Sequence, residues 1–290
     1  MDKQKNERLL KLATRASVAT AVVLILVKLG AWWVTESVAV MASLIDSMMD
    51  GVASTLNLIA VRLSLQPADE DHRFGHGKAE PLAGLAQAAF VVGSAVFLML
   101  HAVDRLIHPQ PVLAAGVGIG VMVFAAAATL VLLAIQRHAI KATGSTAIRA
   151  DSLHYAADLL TYLSVIVALF LAGLGMPGAD PLMAIVIAAF ILFSAWKIAR
   201  DAIDMLMDRE LPDEDKETIF EIGRRHSEVA GIHELRMRRS GQTYIIQLHL
   251  EMAGDISLAQ AHAISDEVEE EILEKFPGAD VLIHQDPVTS

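Results

Sequence analysis

The run from about Ser37 to Leu65 constrains this chain more than any other stretch. It is mostly apolar and long enough to cross a bilayer as a helix, yet it holds two carboxylates, in Ser43-Leu-Ile-Asp46-Ser-Met-Met-Asp50-Gly51. Four residues turn a helix by only about 40° past a full turn, so Asp46 and Asp50 point the same way. Ser43, Ser47, Ser54 and Asn57 continue that polar face at helical spacing. A carboxylate at the bilayer centre costs roughly 2.5–3.5 kcal/mol on insertion scales, and two on one face require a compensating partner. The partner this spacing predicts is a divalent cation in transit.

The rest of the chain agrees with a membrane setting. Of 290 residues, 54% are apolar and the mean hydropathy is +0.48, which exceeds an ordinary soluble domain. Cysteine is absent, which excludes disulfides and thiolate metal sites and disfavours a soft site for Cu(I). Charge is uneven: Arg209 to Ser290 holds 18 acidic and 8 basic residues, a net of −10, against −1 for the preceding 208 residues. An acidic tail of this kind repels nucleic acid and suits metal cations.

Six spans are expected, at about Ala13–Val34, Ser37–Leu65, Glu80–His101, Val112–Ile135, Ser152–Leu174 and Pro181–Ile198. Lys28 in the first is able to snorkel or pair. Met1 to Leu12 resembles the positive region of a signal peptide, but the apolar stretch after it is too long and lacks a clean cleavage site, so it reads as a cytoplasmic lead. Lysine and arginine concentrate in that lead, in the 2–3 loop (Arg62, Arg73, Lys78) and in the 4–5 loop (Arg137, Lys141, Arg149). The positive-inside rule then puts both termini in the cytoplasm.

After Arg209 the pattern becomes that of a small soluble domain. A helix to about Arg225 is followed by strand-like runs Gly231–Arg239 and Thr243–Met252. Ser257 with Gln260 reads as a capping box opening a helix to about Phe276, and a last strand runs Ala279–Asp286. The expected fold is therefore a mainly α membrane protein. A six-helix bundle over residues 1–208 precedes an α+β domain of order αββαβ over 209–290, with one sheet and its helices on one face.

Three constellations carry metal-type ligands. In the fifth span His154 and Asp158 stand four residues apart, with Asp151 and Thr161 on the same face, and match the Asp46–Asp50 pair. Three carboxylates and one imidazole from two helices suit a tetrahedral Zn²⁺ cage, and accept Fe²⁺, Mn²⁺ or Cd²⁺ with less discrimination. The 2–3 loop holds Asp69, His72 and His76, a three-ligand set with water as the fourth. The tail holds His233, His249, His262, His284 and Asp286, of which His284 and Asp286 share a strand face. Met48 and Met49 read as packing residues.

These residues together resemble the cation diffusion facilitator family, and within it the bacterial ferrous-iron and zinc efflux pumps. Asp46-x-x-x-Asp50, His154-x-x-x-Asp158, the loop Asp69-x-x-His72-x-x-x-His76-Gly-Lys-Ala-Glu-Pro and the ending Ile283-His-Gln-Asp-Pro287 carry the likeness over nearly the whole chain. The resemblance implies a homodimer in the bacterial inner membrane that exports Zn²⁺, or Cd²⁺ or Fe²⁺, against protons. It implies Asp46, Asp50, His154 and Asp158 as the transport site, Asp69, His72 and His76 as a second site, and the tail set as a two-metal regulatory site bridged by Asp286. It also implies a charge pair between subunits, Lys78 with Asp208, and a hydrophobic gate at Leu153.

A proton-coupled cycle follows from ligand chemistry, because metal ligands must be deprotonated and an unperturbed imidazole titrates near about pH 6.5. An intramembrane metal enzyme is the first rival. It is disfavoured by the absence of an H-E-x-x-H helix and by a cage whose four protein ligands leave no open position. A channel or metal sensor is the second. A pure scaffold leaves both carboxylate pairs unexplained.

Overall fold

The computed structural model describes residues 3–108, 116–173 and 179–288. Six long helices come first: α1 (Lys3–Thr35), α2 (Val38–Ser64), α3 (Ala79–Ile107), α4 (Gly116–Thr143), α5 (Thr146–Gly173) and α6 (Ala179–Leu206). Then follow α7 (Asp213–Arg225), β1 (Val229–Ser240), β2 (Thr243–Ala253), α8 (Leu258–Lys275) and β3 (Asp280–Val288). The chain divides into two compact units, one over residues 6–203 and one over 204–290 together with 1–5.

In the first unit the helices overrun the expected spans. The polar lead is itself the start of α1, and the expected 4–5 loop is mostly helix, with Arg137 and Lys141 on α4 and Arg149 on α5. No breaker interrupts the sequence until Gly144, whose φ of +63° ends α4, and the Ser145 hydroxyl then accepts the N–H of Ile148 to open α5. Pro109, Pro111 and most of the expected turn before the sixth span lie outside the described residues.

Five of these helices are long and apolar enough to cross a membrane. The fifth in chain order, α5, is also 28 residues long but carries Arg149, Asp151 and Asp158 in its first half. It packs against α2, α3 and α4. Alanines make the close contacts: Ala88 and Ala95 of α3, Ala147 and Ala150 of α5, and Ala195 of α6 are all buried. Small side chains let helix backbones approach where lipid offers no hydrophobic drive. Large apolar side chains such as Leu26, Leu56, Phe97, Phe193 and Trp196 face outward instead. Met48 and Met49, expected to pack, are exposed with them on α2.

The second unit is a three-stranded sheet in the order β1-β2-β3, antiparallel between β1 and β2 and parallel between β2 and β3, with α8 as the crossover. Ser257 and Gln260 cap α8 reciprocally, as their spacing predicts. Strand alternation sends Ile246, Leu248, Leu250 and Met252 of β2 into a core with Ile219 and Ile222 of α7 and Val268 and Ile272 of α8. The opposite face of β2 shows Gln247, His249 and Glu251.

Candidate metal centres

In the membrane unit, α2 and α5 bring three expected ligands together. Nε2 of His154 lies 2.8 Å from Oδ1 of Asp50 and 3.8 Å from Oδ2 of Asp158. One ligand atom from each of the three lies within 4.8 Å of the others, a span that one ion can bridge. Asp50 and His154 are buried and Asp158 is half-buried. The His154 ring is held edge-on between Phe90 and Tyr155, each with a centroid 5.6 Å away. Asp46, one turn earlier on α2, is exposed and stands outside this three-residue group.

One turn towards the start of α5, Asp151 forms a second polar centre. Its carboxylate accepts hydrogen bonds from Ser17 of α1 at 2.6 Å, Gln136 of α4 at 2.8 Å and Ser54 of α2 at 3.4 Å. Four helices are thereby tied at one buried carboxylate, which satisfies a charge that would otherwise be prohibitive in a membrane. On the sequence Asp151 reads only as an extension of the His154 face. Its partners on α1 and α4 carry no signal of their own.

The loop ligands also meet. Asp69 lies 3.3 Å from Nδ1 of His72 through Oδ1 and 3.3 Å from Nε2 of His76 through Oδ2. The backbone N–H of His72 donates to Asp69 at 2.6 Å and holds its carboxyl below the usual carboxylate range, with the two imidazoles adding to the effect. Asp69 and His72 are exposed, whereas the His76 side chain is 9% exposed.

In the tail, strand register does what spacing alone does not reveal. His233, His249 and His284 are Cα partners across β1, β2 and β3, one row of three imidazoles. Asp286 sits among them, 2.8 Å from His249, 3.2 Å from His233 and 3.2 Å from His284. The hydrogen bond from His249, then the charges of His284, His249 and His233, keep the Asp286 carboxyl below its usual range. A bulge between His233 and Arg236, with Glu234 at a φ of +49°, turns β1 beside this row. Two carboxylates join from positions not singled out in the sequence: Glu251, 3.6 Å from His233, and Glu234, 3.9 Å from His249. Glu251 is two residues beyond His249 and so shares its strand face, a signal that was there to read. His262 lies on α8 and pairs with Asp266 at 3.5 Å, outside the three-ligand group of His233, His249 and Asp286. Gln285 donates to Ser265 of α8 at 3.0 Å.

Comparison with known proteins agrees with both units. The cation efflux transmembrane domain matches residues 14–207, and the cytoplasmic domain of cation efflux proteins matches residues 211–288. The cation-efflux pump FieF of Klebsiella pneumoniae subsp. pneumoniae is 48% identical over 98% of this chain and 95% of its own. That of Salmonella choleraesuis is 48% identical over 97% of this chain and 93% of its own. Among solved structures, the metal-bound C-terminal domain of the CzcD transporter from Thermotoga maritima is 29% identical, covering 27% of this chain and 91% of its own, with a TM-score of 0.26. By the two domain matches and the near full-length relatives, the chain belongs to the cation efflux family and is a multi-pass membrane transporter of cations, not an enzyme.

Proposed function

We propose that this protein exports divalent metal ions from the cytoplasm in exchange for protons, carrying Zn²⁺ and also Cd²⁺ or Fe²⁺. Six spans, α1–α6, cross the bacterial inner membrane with both termini in the cytoplasm. Residues 1–208 form the membrane domain and 209–290 the regulatory one, and two copies form a homodimer. Asp46, Asp50, His154 and Asp158 hold the cargo.

The observation that carries this reading is the meeting of α2 and α5 at one buried point, with His154 2.8 Å from Asp50 and 3.8 Å from Asp158. An imidazole and two carboxylates are oxygen- and nitrogen-rich, as Zn²⁺ and Fe²⁺ prefer, and no thiolate is on offer. Asp46, one turn along α2, supplies the fourth ligand, a third carboxylate oxygen. The ligands bind metal only when deprotonated, so loading displaces protons and protonation displaces metal. A site facing the cytoplasm takes up the cation, and the same site facing outward gives it up to protons. The match of residues 211–288 to the cytoplasmic domain of cation efflux proteins supports a cytoplasmic tail, which acts as the regulatory part in this reading. Metal held by His233, His249, His262, His284 and Asp286 favours one dimer arrangement through differential affinity. Asp69, His72 and His76 hold a further ion at the membrane surface.

Reconstitution in proteoliposomes tests this directly. Wild-type protein moves protons when Zn²⁺, Cd²⁺ or Fe²⁺ is added under an imposed pH gradient, and Asp50→Ala abolishes that flux. Flux retained by the variant removes the two-helix site from the transport path.

A further inference from the structure

Lys28 of α1 is a buried cation that the exchange cycle leaves unused. It is 2% exposed, and among the described residues its ammonium hydrogen-bonds to neutral oxygens. It donates to the Ser47 hydroxyl at 2.6 Å, the Ser43 carbonyl at 3.1 Å and the Tyr162 hydroxyl at 3.4 Å, and lies 5.7 Å from the centre of the Tyr162 ring. A buried ammonium without a carboxylate against it is costly, and its retention asks for a reason.

The placement supplies one. Ser43 and Ser47 each precede a carboxylate, Asp46 and Asp50, by three residues on α2, and Tyr162 follows Asp158 by four on α5. On α5 the ammonium therefore sits about one turn, roughly 5.4 Å of rise, beyond Asp158, and on α2 it sits near the level of Asp46, about one turn from Asp50 and towards the same end. The charges acting on it are those of Asp50, Asp46 and Asp158. We propose that Lys28 is a fixed counter-cation of the transport site, held off the ligands by Ser43, Ser47 and Tyr162 so that it repels the bound dication and sets how loosely the cargo is held. It stabilises the carboxylates while no metal is present. It opposes the metal when one arrives, so that release is not prevented by an excess of negative charge. Lys28 thus sets the affinity of the site through space, and this inference rests on the reading of the α2–α5 cluster as the transport site.

The sign of the effect separates this role from a structural one. Zn²⁺ and Cd²⁺ binding to the full-length protein, and transport in proteoliposomes, are compared for wild type, Lys28→Gln, Lys28→Arg and Asp50→Ala. Neutralising the charge in Lys28→Gln tightens binding by about tenfold or more, and lowers KM and maximal rate together, because a dication and an ammonium this close repel strongly at low effective dielectric. Lys28→Arg keeps wild-type affinity. Adding Asp50→Ala to Lys28→Gln removes the tight binding. Unchanged or weaker binding in Lys28→Gln overturns the proposal, while loss of flux in Asp50→Ala leaves the transport site standing. Flux surviving in Asp50→Ala overturns both. If Lys28→Gln fails to reach the membrane, Lys28→Met and Lys28→Arg decide: binding that is not tightened in Lys28→Met, or altered in Lys28→Arg, counts against Lys28 as a counter-charge.

Discussion

The α2–α5 cluster and the tail cluster use the same donors, imidazole and carboxylate, in opposite surroundings. In the membrane unit Asp50 and His154 are buried, and neutral hydroxyls and amides manage the neighbouring charges on Lys28 and Asp151. In the tail the equivalent side chains are 30–63% exposed and lie on the open face of a sheet. Water compensates an empty tail site at little cost, whereas an empty membrane site must be compensated by the protein itself. A buried site is thus suited to passing an ion or a proton on, and an exposed one to resting either loaded or empty.

The sharpest way to break this comparison is to remove one carboxylate from each region. Asp158→Asn should abolish metal-driven proton flux, as is expected of Asp50→Ala, because it removes one of the three ligands that meet at that point. Asp286→Asn should lower tail occupancy and reduce flux only several-fold if, as proposed, the tail biases a conformational equilibrium through differential binding. Flux through Asp158→Asn within a few-fold of wild type, measured with a pH-sensitive dye in proteoliposomes, would show that the two regions do not differ in kind.

The sequence made the two-helix site legible because helical spacing fixes which side chains share a face, whatever the tertiary structure does. Asp50, His154 and Asp158 are found that way. Lys28 and Gln136 are not, because their partners lie 15 or more residues away and depend on helix packing. The tail fold was readable from the Ser257–Gln260 cap and from alternation in β2. The row of His233, His249 and His284 was not, because it requires the register between three strands. The helix ends were the least legible part. Residues 136–143 are polar but hold no glycine or proline, so α4 runs on through them, and an apolar pattern marks where a helix can enter lipid rather than where its hydrogen bonds stop.

A second test sharpens the comparison through packing. Helix α7 lies so close to β1 that a Cβ on Gly223 would fall 2.2 Å from Cδ1 of Ile232. Gly223→Ala should destabilise the tail by about 1–3 kcal/mol, the usual cost of overpacking a core. Urea unfolding followed by the hydrogen exchange of tail amides in the full-length protein checks this. Adding Ile232→Val should recover part of the loss, and a variant as stable as wild type would mean that α7 shifts freely on the sheet.

The smallest effect separates the two exposed clusters from each other. Both Asp69 and Asp286 carry carboxyls held below the usual range, but for different first reasons: the backbone N–H of His72 in one case and the side chain of His249 in the other. Replacing His72 by Ala keeps that N–H, so Asp69 should remain low. Replacing His249 by Ala removes the donor, so Asp286 should rise towards the ordinary value near about 3.9. A carboxyl with a depressed pKa contributes stability that is present above the ordinary value and is lost as pH falls through the depressed one. The metal-free His249→Ala tail should therefore carry less of this contribution at neutral pH, with Asp286 titrating at a higher pH than in wild type, while His72→Ala leaves the acid limb of the Asp69 loop where it was. Carbon NMR of the two carboxyls during an acid titration of metal-free protein reads both. If the two histidine variants moved their aspartates equally, the Asp69 carboxylate would depend on the imidazole rather than on the turn that presents it.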